Sequence, residues 1–224
     1  MMKKNKRNLN KRRVFLPLFV ASFGLGLGIL FAEFTKNDLD DFKAEGILWP
    51  SPPKLNEFFL MDKDNLPFTL DDLKGRWSII FFGFANCPDI CPSTLLEMSK
   101  AERKLRAMPE FGNSGQLIFI SVDPERDSPT ILKTYVSHFS SNLQAASGSQ
   151  EELRILAKSV GAIFLKVDSH DDDNNNSYSV DHSAGIFFVS PDATLFSVLT
   201  PPIVDATILD RMNNVLKAYQ TFKH

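Results

Sequence analysis

The chain has 224 residues, 43% of them hydrophobic, enough for one domain of ordinary size with a sizeable core and a short appendage. Its 25 basic and 27 acidic side chains are unevenly spread: residues 1–13 hold seven basic residues and no acid, which leaves 18 basic and 27 acidic residues, a charge of −9, on the rest. A mildly acidic body lacks the basic face that nucleic-acid binding requires.

Residues 14–32, VFLPLFVASFGLGLGILFA, carry no charge. As a helix they span about 28 Å at ~1.5 Å per residue, close to the hydrocarbon thickness of a bilayer. Pro17 and the glycines at 24, 26 and 28 are tolerated in membrane helices. The basic tail, residues 1–13, predicts a cytoplasmic N-terminus and an exported body. A cleaved signal peptide is the alternative, but the run is long for one and no clear A-x-A site follows it. The expectation is a single-pass anchor in the inner (cytoplasmic) membrane of a bacterium, with the C-terminal domain on the periplasmic side. Thirteen residues ahead of the anchor leave little room for a mitochondrial transit peptide.

Residues 33–53 read as a tether ending in the stiff run Trp49-Pro50-Ser51-Pro52-Pro53, and residues 54–224 as the folded domain. LNEFFLMD and LPFTL flank Lys63-Asp64-Asn65 as a hairpin. WSIIFFGFA, 77–85, has the length and continuous apolarity of a buried central strand. Residues 93–108 have helical spacing, QLIFISVD at 116–123 is a second buried strand, and Asp127 or Ser128 caps a helix opened by Pro129 and running to about Phe139. Ser149 opens a further helix that Gly161 ends. IFLKV reads as a strand, 168–177 as a polar loop, YSVDHSAGIFFVSPDATLFSVL as two strands around a Ser190-Pro191-Asp192 turn, and 204–222 as an amphipathic helix. This is the order of a thioredoxin-like α/β fold, a mixed sheet flanked by helices.

Cys87 and Cys91 are the only cysteines. In an exported body two cysteines commonly form a structural disulfide, but a bridge over four residues closes a tiny loop and constrains the unfolded chain little. A redox-active or metal-binding pair fits better. Each cysteine precedes a proline, Pro88 and Pro92, and a residue before proline is pushed out of the α region. Both cysteines are therefore expected outside the helix, with Cys91 near its cap, where amides and dipole lower a thiol pKa. Two thiolates suit Cu(I). An added imidazole gives an S₂N set for Cu(I) or Cu(II), and zinc would accept it with a water. Among the histidines, His224 is terminal, His170 sits in the Asp/Asn loop and His138 lies near a helix end. His182 precedes a buried strand, where a sheet end can hold it. Placement alone leaves open whether it is a ligand or structural.

FFGFANCPDICPSTLLEMSKA, SVDPERDSP and YSVDHSAGIFFVSPD, in that order, resemble the Sco/SenC copper-chaperone family over about residues 54–220. The resemblance implies a thioredoxin-like domain in which Cys87, Cys91 and His182 bind copper. It also implies a role in building the CuA site of cytochrome c oxidase, as copper donor, thiol reductase of the target's cysteines, or both. Its implied partner is the copper-receiving oxidase subunit. Ala85-Asn86 stands where Thr-His is frequent, and Ala193-Thr194 replaces the usual glycine after Pro-Asp. The resemblance further suggests that the loop with Asp123 and Asp127 lies near the metal site, where a carboxylate can tune a thiol or orient the imidazole. The plainer expectation is a turn residue for Asp123 and a helix cap for Asp127. The 168–177 run lacks the glycine and distal glutamate of a calcium loop and reads as solvated. A thiol–disulfide oxidoreductase is the alternative function, although the usual C-x-x-C is absent, and a peroxide-reducing enzyme is a third. The redox state of the pair is open, a disulfide included.

Overall fold

A computed structural model describes residues 46–48, 51–112, 114–168 and 178–222. The basic tail, the apolar segment 14–32 and most of the 168–177 loop lie outside the described residues. Among the described residues no helix is long and apolar enough to cross a membrane. All of them belong to the unit Glu45–His224.

The hairpin forms as β1 (Phe59–Asp62) and β2 (Pro67–Thr69), with Asn65 at φ 62° in the turn. After a 3₁₀ turn (Leu70–Leu73) come β3 (Ser78–Gly83) and α1 (Ile90–Arg106). Then follow β4 (Gln116–Ser121), α2 (Pro129–Ser137), β5 (Gln144–Ser147) and α3 (Gln150–Val160). The chain closes with β6 (Phe164–Asp168), β7 (Tyr178–His182), β8 (Ile186–Val189), β9 (Leu195–Leu199) and α4 (Asp205–Phe222).

Among the described residues seven strands make one mixed sheet in the order β2-β1-β5-β4-β3-β8-β9. β3 runs parallel to β4 and antiparallel to β8. All six residues of β3 are buried, as befits a strand covered on both faces. Alternate side chains point to opposite faces. Ile80 and Phe82 join Ile118, Ile120 and the α3 residues Leu153, Leu156 and Val160 in one core, while Phe81 and Gly83 face Cys91 and Phe119 on the other side. There α1 packs against α4, burying Leu95, Met98 and Leu105. The α3 boundaries fall where its caps require: the Ser149 hydroxyl accepts from Glu152 N–H, and Gly161 takes φ 72°.

Three expectations are corrected. The Tyr178–Leu199 segment holds three strands, because β7 pairs with β6 in a separate two-stranded sheet. Cys91 lies inside the first turn of α1 rather than outside it. The bond that Pro92 cannot donate would have gone to Pro88, ahead of the Asp89 cap, so the helix loses nothing there. Asp127 caps nothing: the Ser128 hydroxyl caps α2 by accepting from Ile131 N–H. Part of the 33–53 segment also packs on the domain: Ile47, which is buried, bridges to Ser197 of β9, and Leu195 N–H donates to Pro53 C=O (2.8 Å).

Candidate metal centre

The site forms at the C-terminal ends of β3 and β4. Leaving β3, the chain turns so that Cys87 N–H donates to Phe84 C=O (3.2 Å), which holds Cys87 half-buried just ahead of α1. Buried Cys91 follows one helical turn later. The Cys91 N–H lies 3.4 Å from Cys87 Sγ and donates to it, one of the free helix N-terminal amides finding its acceptor. Both cysteines are free thiols.

Sheet direction brings the histidine in. Because β8 is antiparallel to β3, with Phe81 paired to Ile186, the residues just before β8 lie beside the end of β3. His182, the last residue of β7, places Nε2 3.3 Å from Cys91 Sγ. The donor atoms of Cys87, Cys91 and His182 all lie within 4.8 Å of one another. Ligand atoms sharing one ion at ~2.0–2.3 Å stand about 3.5–4 Å apart, so the group needs little movement to close on a metal. His182 Nδ1 is 3.1 Å from Ser183 C=O. A carbonyl only accepts, so Nδ1 carries the proton and the Nε2 lone pair faces the thiols. Burial holds the imidazole pKa below its ordinary value, which keeps the ring neutral and ligand-competent. Phe81 and Phe84 meet this ring edge-on at centroid distances of 5.9 and 6.0 Å.

The expected lowering of the Cys91 thiol pKa does not occur. Burial, then the hydrogen bond to Cys87, pushes it well up. Desolvation outweighs the helix N-terminus here. In the metal-free protein Cys91 is therefore a protonated thiol, and an arriving metal must displace its proton.

Asp127 is the carboxylate next to the cysteine loop. Its Oδ2 accepts from Ala85 N–H (2.8 Å) and from the buried Ser121 hydroxyl. Because this contact uses the Ala85 backbone, the Ala85-Asn86 replacement leaves it intact. Burial raises the Asp127 pKa above the ordinary carboxylate value. Asp123 accepts from the Tyr178 hydroxyl and pairs with Arg126. Neither aspartate is among the three clustered donors. His138 is the C-cap of α2, outside the group, and His170 and His224 lie outside the described residues.

The SCO1/SenC family model matches residues 50–217. The chain belongs to the SCO1/SenC family. A putative copper-binding protein of Stutzerimonas stutzeri is 37% identical over 174 residues, which cover 78% of this chain and 80% of that one. The copper-bound structure of Arabidopsis thaliana ScoI superposes with a TM-score of 0.65 at 32% identity, over 73% of this chain and 98% of that chain. BsSco, a member of the Sco family of cytochrome c oxidase assembly proteins in which a disulfide switch was identified, superposes with a TM-score of 0.55 at 26% identity, over 75% and 96% of the two chains. The thioredoxin-like arrangement of mixed sheet and helices is that of the Sco structures.

Around this candidate site, two contributors went unread in the sequence. A Cβ on Gly83 would come within 2.6 Å of Cys91 Sγ and 2.8 Å of the Phe119 ring, so a side chain there would evict the thiol. The available signal was a lone glycine ending an apolar strand, a mark of close approach. Tyr135 is the other. Its hydroxyl is buried with no hydrogen-bond partner among the described residues, and burial, followed by the nearby cysteines, raises its pKa. One tyrosine in a helical pattern carries no such signal.

Proposed function

We propose that this chain is a membrane-anchored copper chaperone that holds one copper ion, Cu(I) or Cu(II), through Cys87, Cys91 and His182 and delivers it to a subunit of cytochrome c oxidase for assembly of the CuA site. The observation that carries this is the convergence of two thiols and one neutral imidazole within 4.8 Å. Copper bound in the Arabidopsis thaliana ScoI structure and the oxidase-assembly role stated for the Sco family support it. Soft sulfur donors favour Cu(I), and the imidazole also accommodates Cu(II). Binding releases the Cys91 proton, and transfer proceeds as the recipient's ligands replace these one at a time. Cys87, the less buried thiol, is the natural first to exchange. Residues 14–32 serve as the single membrane anchor, with the basic tail in the cytoplasm and residues 54–224 on the periplasmic side of a bacterial inner membrane.

Titration of the reduced protein with copper is expected to reach about one equivalent, as one three-ligand site requires, and His182→Ala to lower affinity sharply. An unchanged affinity in His182→Ala would remove the histidine from the site.

One observation favours a second reading, a thiol–disulfide oxidoreductase: two neighbouring free thiols of unequal exposure, in a fold shared with a relative that has a disulfide switch. Cys87 would attack the partner's disulfide and Cys91 would resolve the mixed disulfide. The partner gains two electrons and two protons, and this chain is left with a Cys87–Cys91 bond. Catalytic reduction of a partner disulfide by metal-free protein would favour it; absent turnover with copper transfer intact would exclude it.

A further inference from the structure

The hairpin that carries His182 is not part of the main sheet. Among the described residues β7 pairs only with β6, and an isolated two-stranded hairpin is marginally stable by itself. The short link to β8 brings His182 to the end of β3, and side-chain contacts then hold the hairpin against the cysteines.

Those contacts converge on Arg126. Its Nε donates to Asp123 Oδ2, and its Nη1 donates to Tyr178 C=O at 3.2 Å. Its guanidinium carbon lies 3.8 Å from the Tyr178 ring centroid and 5.7 Å from that of Phe84. The Tyr178 hydroxyl donates to the other Asp123 oxygen at 2.6 Å. Lys166 of β6 reaches the Tyr178 ring, its Nζ 3.8 Å from the centroid, and donates to Glu125 at 2.8 Å. Arg126 thus grips the start of β7 through Tyr178. Through Phe84 it also backs the imidazole at the strand's other end. The neighbouring Asp127 holds the cysteine loop through Ala85 N–H. One loop, residues 123–127, is tied to both halves of the site.

We propose that Arg126, braced by Asp123, is a positioning residue that locks the β6–β7 hairpin and so sets His182 Nε2 at ligand distance from Cys87 and Cys91. The proposal rests on the copper reading above. Arg126 touches no donor atom and acts through His182.

The test is Cu(I) affinity of the reduced full-length chain, measured by competition with a Cu(I) chelator for wild type, Arg126→Gln, His182→Ala and the double variant. Amide hydrogen exchange of the metal-free proteins accompanies it. Arg126→Gln is expected to bind copper about 10-fold or more weakly, the scale of outer-shell losses at metal sites. The double variant should bind no more weakly than His182→Ala alone, because a residue acting through His182 has nothing to position once the imidazole is gone. Exchange should rise at β7 amides and stay unchanged in β3 and β4. Tyr178→Phe, which keeps the ring and loses only the hydroxyl bond, should show a smaller loss of the same kind and keeps the question decidable if Arg126→Gln fails to fold. Wild-type affinity and exchange in these variants, or an Arg126→Gln loss that persists in full on the His182→Ala background, would overturn the positioning role. A wild type that takes up no copper would overturn the copper reading instead, and the exchange comparison would still decide whether Arg126 locks the hairpin.

Discussion

The two halves of the site are built differently. Cys87 and Cys91 hang from β3, a fully buried strand paired on both sides, and Cys91 sits in a seat that leaves no room for a Cβ at Gly83. His182 hangs from a two-stranded appendage whose β6 leaves Leu165 63% and Val167 44% exposed. Val180 is buried in the core, and a cluster of charged and aromatic side chains ties down the far end. The thiol half hangs directly from the main sheet; the imidazole half is brought in by the antiparallel entry of β8 and held by side-chain contacts. A site of this construction pairs a rigid dithiol with an adjustable third donor, which suits the metal release that the proposed chaperone role requires.

Breaking the cysteine half should have the largest effect. Gly83→Ala forces a methyl into the Cys91 thiol and the Phe119 ring. It should cost ~1–3 kcal/mol by overpacking and abolish stoichiometric copper binding, as measured by thermal unfolding and titration. Asp127→Ala comes next. It strips the acceptor from Ala85 N–H and Ser121 and should cost about 1–3 kcal/mol. Asp127→Asn, which keeps an acceptor and removes a buried charge, should recover most of that in denaturant unfolding. On the other half, His182→Ala removes no sheet hydrogen bond and should leave the unfolding midpoint within a few degrees of wild type while copper affinity falls. Smallest of all, Tyr135→Phe deletes a buried hydroxyl that has no partner among the described residues and should be neutral or slightly stabilising. A clear loss of stability in that variant would show that the hydroxyl is bonded.

Most of the sheet was legible because β3 and β4 are continuous apolar runs and the caps Ser128, Ser149 and Gly161 stand where the helices begin or end. β5 was not, since Gln144-Ala-Ala-Ser147 has neither β-branched nor aromatic residues and is a strand only because β1 and β4 flank it. The Cys91 environment was misjudged because a helix N-terminus is visible in sequence and burial is not. Ala193 shows a local rule overridden: φ is 53° at a position where glycine is usual, and the β8–β9 turn holds it there with Ala193 N–H on Ser190 C=O (2.9 Å). The cysteines could be singled out by spacing. His182 could not, because its place depends on the antiparallel entry of β8 beside β3, a fact of topology rather than of local pattern.

The most direct measurement is X-ray absorption at the copper edge on reduced, copper-loaded protein, wild type beside His182→Ala. The expected result is two sulfurs and one nitrogen around copper in wild type, with the nitrogen lost in the variant and both sulfurs kept. A wild-type shell of sulfur alone, or one that His182→Ala leaves unchanged, would contradict the three-residue site.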